Sequence, residues 1–171
     1  LQLRKATMTD FDQIITILKD GANQLAEHGV DQWQGDYPSH DQIKEDIKNG
    51  WAYLAVSDDH ETVGAIAIVD GPDHVYDNLN GKWLCDTDNY VVIHRVAIKS
   101  EHAGKGYATQ LLNSVINKIR QSDKVDSIRI DTHEDNKAMQ HLINKMGFTQ
   151  VGKLHGAYRP DETSYVYELK K

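Results

Sequence analysis

The sequence predicts an α/β domain with a mixed central sheet flanked by helices on both faces, and three observations carry that expectation. In the second half, β-rich runs alternate with stripes of helical period, the pattern of parallel strands joined by crossover helices. In the first half, two adjacent β-rich runs are joined by the polar stretch Ser57-Asp58-Asp59-His60-Glu61, a length suited to an antiparallel hairpin. The chain of 171 residues, 39% hydrophobic and 26% charged, holds enough apolar material for one core and too little for two ordinary domains. Residues 1–171 are therefore expected to form a single domain.

Each element follows from its spacing. Leu1, Leu3 and Lys5 alternate with Gln2, Arg4 and Ala6, a short strand that runs into a helix capped near Thr7-Met8-Thr9-Asp10. Phe11, Ile14, Ile15, Leu18, Ala22 and Leu25 recur at intervals of three and four, giving a helix that buries one face and stops at Gly29. Ile43 and Ile47 mark a second helix ending near Asn49-Gly50, and residues 51–57 and 62–69 read as the hairpin strands. Residues 70–89 form a long connection that keeps Tyr76, Trp83 and Leu84, so it is expected to fold over something as a lid or wall. A strand over 90–98, a helix over 107–121, a strand over 126–132 and a helix over 136–146 follow, with Gly147 as the stop. Residues 148–154 and 164–169 close the sheet, the latter as an exposed strand suited to homodimer contact.

Composition excludes several classes. Lys and Arg number 19 against 26 Asp and Glu, a formal charge of −7 with no basic run, so nucleic acid lacks the positive footprint it needs. Apolar stretches are strand-sized, far below the roughly 20 residues of a membrane span, and residues 1–10 lack the apolar segment expected of a signal peptide. Cys85 is the only cysteine, which excludes an internal disulfide and a Cys-rich metal site. His94, His133 and His155 show no i,i+4 pairing, so no metal is expected, and a cytoplasmic location is.

The chemistry concentrates after the 90–98 strand. In Ala103-Gly104-Lys105-Gly106-Tyr107-Ala108-Thr109, two glycines precede a helix start, so successive backbone N–H groups can converge on an anion at the positive end of the helix dipole. No Gly-Lys-Ser/Thr closes an ATP-binding loop, and Thr109 stands where the dinucleotide fingerprint needs its third small residue.

This loop is similar to the Q/R-x-x-G-x-G/A motif of the GCN5-related N-acetyltransferases (GNAT), with Ala103 in place of Gln or Arg. A second block, residues 131–148, resembles the family's strand, Asn-led helix and Gly-Phe turn. The resemblance implies a sheet splayed between its two parallel strands, with acetyl-CoA in the gap. Its pyrophosphate would lie on Ala103 through Thr109, its pantetheine on the backbone of Val96 and Ile98 and on the side chain of Asn136. It implies acetyl transfer to a primary amine by direct attack, with an N–H near Val96 or Ala97 serving the oxyanion. The acceptor stays open among a small amine, an aminoglycoside-like compound, a peptide N-terminus and a protein lysine.

Two departures shape the catalytic expectations. The family's usual Tyr acid falls at Ile143 and its Glu base near Val92, and neither residue can serve. His94 shares the face of Val92 by period-two alternation and is the expected base, an imidazole with an ordinary pKa of roughly 6.5. Tyr158, Tyr107 and His133 are the candidate acids. Arg95 is expected on the opposite face in a structural salt bridge, and Trp33, Tyr37 and Trp83 as aromatic walls of an acceptor pocket or as loop plugs. Asp31, Asp36, Glu134 and Asp161 could attract a cationic amine, as the net charge favours. The competing readings are a non-catalytic acyl-CoA-binding module, suggested by the missing Tyr and Glu, and a nucleotide-dependent oxidoreductase.

Overall fold

A computed structural model describes residues 1–35 and 38–171, so Asp36 and Tyr37 lie outside the described residues. Among the described residues, eight strands form one sheet in the order β1-β2-β3-β5-β6-β8-β7-β4. They are β1 (Gln2–Lys5), β2 (Ala52–Val56), β3 (Thr62–Asp70), β4 (Asn80–Gly81), β5 (Tyr90–Ile98), β6 (Ser127–His133), β7 (Thr149–His155) and β8 (Thr163–Lys170). Among the described residues the helices are α1 (Phe11–Glu27), α2 (His40–Lys48), α3 (Tyr107–Arg120) and α4 (Lys137–Lys145), with three short 3-10 turns. Every predicted strand and helix is present within a few residues; the two-residue β4 was not expected.

The helices divide between the two faces as the apolar stripes require. Leu111, Leu112, Val115, Ile116 and Ile119 of α3, with Ile143 of α4, pack on Val91, Ile93, Ile128 and Ile130. Ile14, Ile17 and Leu18 of α1, with Ile43 and Ile47 of α2, pack on Ala52, Leu54, Ala65 and Ala97. The 70–89 connection covers the rest of that second face, where Tyr76 is buried against Ala67, Tyr90, Val92 and Val166, and Trp83 packs beside them. This connection is pinned by a buried cluster. Arg129 lies 3.7 Å from the Trp83 ring and 3.9 Å from the Tyr90 ring, donates to the Cys85 carbonyl at 2.8 Å and pairs with Glu168. Glu168, fully buried, also accepts from the Leu84 N–H and the Ser127 hydroxyl at 2.6 Å each.

Two expectations need correction. The 164–169 strand is no exposed edge: β8 lies between β6 and β7 and pairs antiparallel with both, so its backbone cannot extend the sheet into a partner. The chain returns from β7 into the sheet interior, which leaves β1 and β4 at the edges. Arg95 does not take the face opposite His94. Between the pairs Ala65↔Ala97 and Ala67↔His94, β5 carries an extra residue, and Arg95 adopts φ 53° there. This bulge breaks the alternation. Arg95 consequently reaches Asp46 of α2, on the side where Ala65 and Ala97 pack, and the expected salt bridge is present, with Nε and Nη2 donating to the carboxylate at 2.6 and 2.8 Å.

Among the described residues, no helix is long and apolar enough to cross a membrane.

Candidate active site

The parallel pair β5 and β6 stays in register only from Tyr90↔Ser127 to Ile93↔Ile130. Beyond that point the strands part, and a cleft of about 600 Å³ opens between them. One wall is Ile93 through Ile98; the other is Ile130, Asp131, Thr132 and the start of α4 with Asn136, Ala138 and Met139. Because the Lys99 N–H donates to the Val63 carbonyl on the β3 side at 2.8 Å, alternation turns the backbone groups of Val96 and Ile98 toward the cleft. The Ile98 carbonyl already accepts from Gln24 Nε2 of α1 at 2.8 Å, while Val96 has no such partner among the described residues.

At the mouth of the cleft, Gly104 and Gly106 hold φ values of 77° and 80°, and Gly106 caps α3. A Cβ on either would meet no protein atom within 4 Å. From Gly104 to Thr109 the amide N–H groups find no acceptor among the described residues; the next, on Gln110, donates to the Gly106 carbonyl. Six free donors at a helix N-terminus, facing space that a Cβ would enter, fit a pyrophosphate. Of this loop only Ala108 reaches the cleft wall itself. Asn136 caps α4, accepting from the Met139 N–H at 3.2 Å, and its Nδ2 donates to Gln32 Oε1 at 3.0 Å. It lines the cleft as expected, although its side chain is already engaged at both ends.

At the splay, His94 is 9% exposed and its Nε2 lies 2.9 Å from Asp73 Oδ2. With Nε2–H donating to the carboxylate, the Nδ1 lone pair is left without a partner among the described residues. Burial pushes the Asp73 carboxyl up, but the hydrogen bond from His94, the imidazolium charge and the Val75 N–H outweigh it and hold the group below its ordinary range. The Asp73 backbone is itself fixed, its N–H donating to the Tyr90 hydroxyl at 2.7 Å. Beside this pair, Asp131 accepts from the Tyr76 hydroxyl at 2.7 Å and the Tyr158 hydroxyl at 2.8 Å. Burial first, then the Asp131 charge, push the Tyr76 hydroxyl well above its ordinary pKa, so it remains a donor.

The structure thus brings His94, Tyr158, Val96, Ile98, Ala108 and Asn136 to one cleft. His133 is not on its wall: the ring is buried and its Nδ1 accepts from the Asp135 N–H at 3.0 Å, as a strand-end turn requires. Tyr107 starts α3, its ring set edge-on to His102. Trp33 lines the cleft and packs against Gly21, where an added Cβ would come within 3.2 Å of its ring, whereas Trp83 belongs to the Arg129 cluster. Asp73, Asp131 and Glu162 carry no sequence signal as site residues; Tyr76 comes with the connection expected as a lid or wall, which folds back over the sheet and delivers Asp73 as well.

A parallel pair splayed beside an anion cradle at a helix N-terminus is the architecture of a CoA-dependent acyltransferase. The profile of the Acetyltransferase (GNAT) family matches residues 22–148, and the chain belongs to that family, whose members generally take the acetyl group from acetyl-CoA. A GNAT-family acetyltransferase of Streptococcus agalactiae shares 35% identity and superposes with a TM-score of 0.86, over 99% of this chain and 95% of that one. An N-alpha-acetyltransferase of Saccharolobus solfataricus is 26% identical over 164 residues, 96% of this chain and 89% of its own. A GNAT-family acetyltransferase of Listeria monocytogenes shares the fold at a TM-score of 0.77, over 99% of this chain and 94% of that one, with 23% identity.

Proposed function

We propose that this protein transfers the acetyl group of acetyl-CoA to a primary amine by direct attack, with His94 as the base. The observation that carries this is the coincidence, at one splay, of the free amide cradle, the backbone of Val96 and Ile98, and the His94–Asp73 pair. The similarity to an N-alpha-acetyltransferase supports an amine as acceptor.

Bound acetyl-CoA supplies an acyl carbon activated as a thioester. The amides of Gly104 through Thr109 would hold the pyrophosphate, with Lys105 beside them, and Val96 and Asn136 would guide the pantetheine arm. His94 Nδ1 takes the proton of the attacking amine, while Asp73 fixes the tautomer and stabilises the imidazolium so formed. The same imidazolium can return the proton to the departing sulfur, so a separate acid at position 143 is dispensable. Tyr158 has its proton directed at Asp131 and serves the acceptor wall. A paired base at the splay favours turnover over a merely CoA-binding module.

His94→Gln should lower kcat by about 10²–10⁴-fold and flatten the acidic limb of the pH–rate profile, with acetyl-CoA affinity retained. A profile identical to wild type would remove His94 as the base.

A further inference from the structure

Asn136 is 8% exposed, and a buried side-chain N–H needs an acceptor whether or not a ligand is present. Its Oδ1 is spent on the Met139 N–H. Its Nδ2 donates to Gln32 Oε1 at 3.0 Å, and the same oxygen takes a long bond of 3.4 Å from the Thr132 hydroxyl. Gln32 Nε2 has no acceptor among the described residues, so this carboxamide is held by its oxygen alone. Gln24, the other glutamine at a pantetheine contact, differs. Its Nε2 is fixed between the Ile98 carbonyl at 2.8 Å and Asp20 at 3.2 Å, all within reach of α1, which makes it part of the wall.

The residues around Gln32 cross the splay. On one side Trp33 packs on the cluster that contains Ala97 of β5, close against Gly21 of α1. On the other side Gln32 reaches Thr132 of β6 and the cap of α4. Gln34 Nε2 fastens the segment to α1, donating to the Ala22 and Gln32 carbonyls at 3.0 Å each. Trp33 holds φ 63°, a conformation that a non-glycine residue keeps only where its surroundings over-determine it. Beyond Gln32, the remaining tie is the Asp31–Arg159 pair, 61% and 38% exposed and screened by water. Residues 31–34 are therefore a strap over the cleft whose shielded hold on the β6 side is one carboxamide oxygen.

What Asn136 receives from Gln32 is an amide carbonyl, and the pantetheine arm is itself built on amides. Resting on the acetyl-CoA reading of this cleft, we propose that the chain occupies its own pantetheine site: Gln32 holds Asn136 in the free protein, and the arm of CoA displaces it amide for amide. Asn136 keeps an acceptor throughout, and the strap is released from the β6 side when the arm arrives.

The test is calorimetric titration of wild type, Gln32→Leu and Gln32→Glu with three probes: CoA, pantetheine, and adenosine 3′-phosphate 5′-diphosphate, which has the pyrophosphate and lacks the arm. Gln32→Leu removes the competitor and leaves Asn136 Nδ2 unpaired in the free protein, so CoA and pantetheine should bind about three- to tenfold more tightly. Gln32→Glu offers Asn136 a charged acceptor, a stronger competitor, so both should bind more weakly by about the same factor. The nucleotide should bind all three proteins alike. A residue that merely shapes the loop would move both variants in one direction. Weaker or unchanged CoA binding in Gln32→Leu, variants that shift together, or a nucleotide that follows CoA would each overturn the proposal. Wild-type protein that binds neither CoA nor pantetheine would sink the acetyl-CoA reading and this proposal together, whereas binding indifferent to position 32 would sink the proposal alone.

Discussion

Gly106→Ala separates the backbone role of the cradle from its ligand role. Position 106 holds φ 80°, where an L side chain costs about 1–2 kcal/mol, and the added Cβ meets no protein atom within 4 Å. The cost to the fold is therefore the conformational one alone. For a domain of this length about 2–4 °C is lost per kcal/mol, so Tm should fall by about 2–8 °C. The ligand loses more. The methyl group enters the space that the free amides of Gly104 through Thr109 face, and excludes an anion from them. Hydrogen bonds to a charged group contribute about 1.5–3 kcal/mol each. Losing two, at the low end, weakens CoA by about 3 kcal/mol, or about a hundredfold in Kd. Calorimetric titration with CoA, and with pantetheine as a probe lacking the pyrophosphate, reads the two effects apart. Pantetheine affinity should not change. A folded Gly106→Ala protein that binds CoA as wild type does, or that loses pantetheine equally, would refute the assignment of this loop.

Asp73→Asn should lower kcat by about 10-fold to 100-fold and move the acidic limb of the pH–rate profile, at unchanged KM for acetyl-CoA; a kcat change with an unmoved limb would make Asp73 merely structural. Arg95→Met leaves the 2%-exposed Asp46 without its guanidinium and should cost about 3–5 kcal/mol in urea unfolding, most of it returned by adding Asp46→Leu; a loss below about 1 kcal/mol would contradict the buried-pair account. Glu162 has a raised folded pKa, so its penalty is absent below the ordinary Glu value of about 4.3 and complete once pH exceeds the raised one. Glu162→Gln should accordingly raise Tm at pH 7 and not at pH 4, and an equal shift at both would disprove the linkage.

The elements were legible because each buries one face. The three-and-four spacing of Phe11, Ile14 and Leu18, or of Leu111, Val115 and Ile119, leaves a single way to satisfy the apolar stripe, and the glycine loop before Tyr107 advertises free amides. Sheet order was less legible, since nothing in the alternation of 164–169 distinguishes a central strand from an edge. The wall opposite the cradle was least legible. Asp73 and His94 are 21 residues apart, and Tyr76 and Asp131 are 55 apart. They meet because Trp83 and Tyr90 sandwich Arg129 and draw the connection across the sheet, a long-range packing event with no periodic signature.

Strict alternation failed at one residue, and that residue lines the cleft. The bulge at Arg95 lies two positions after the last parallel pair. An extra residue there bends and twists β5, which turns it from β6 where the proposed path of the pantetheine arm lies. A non-glycine residue at φ 53° is unfavourable in isolation. Here the forked pair with Asp46 holds it from α2, and the apolar stripe of α2 fixes Asp46 in turn. Through Asp46, α2 thereby anchors the bulge residue that lines the cleft. His94, immediately before the bulge, still lies on the regular face of Tyr90 and Val92, where the connection can bring Asp73 against it. The bulge thus follows His94 directly and leaves undisturbed the face that presents it to Asp73.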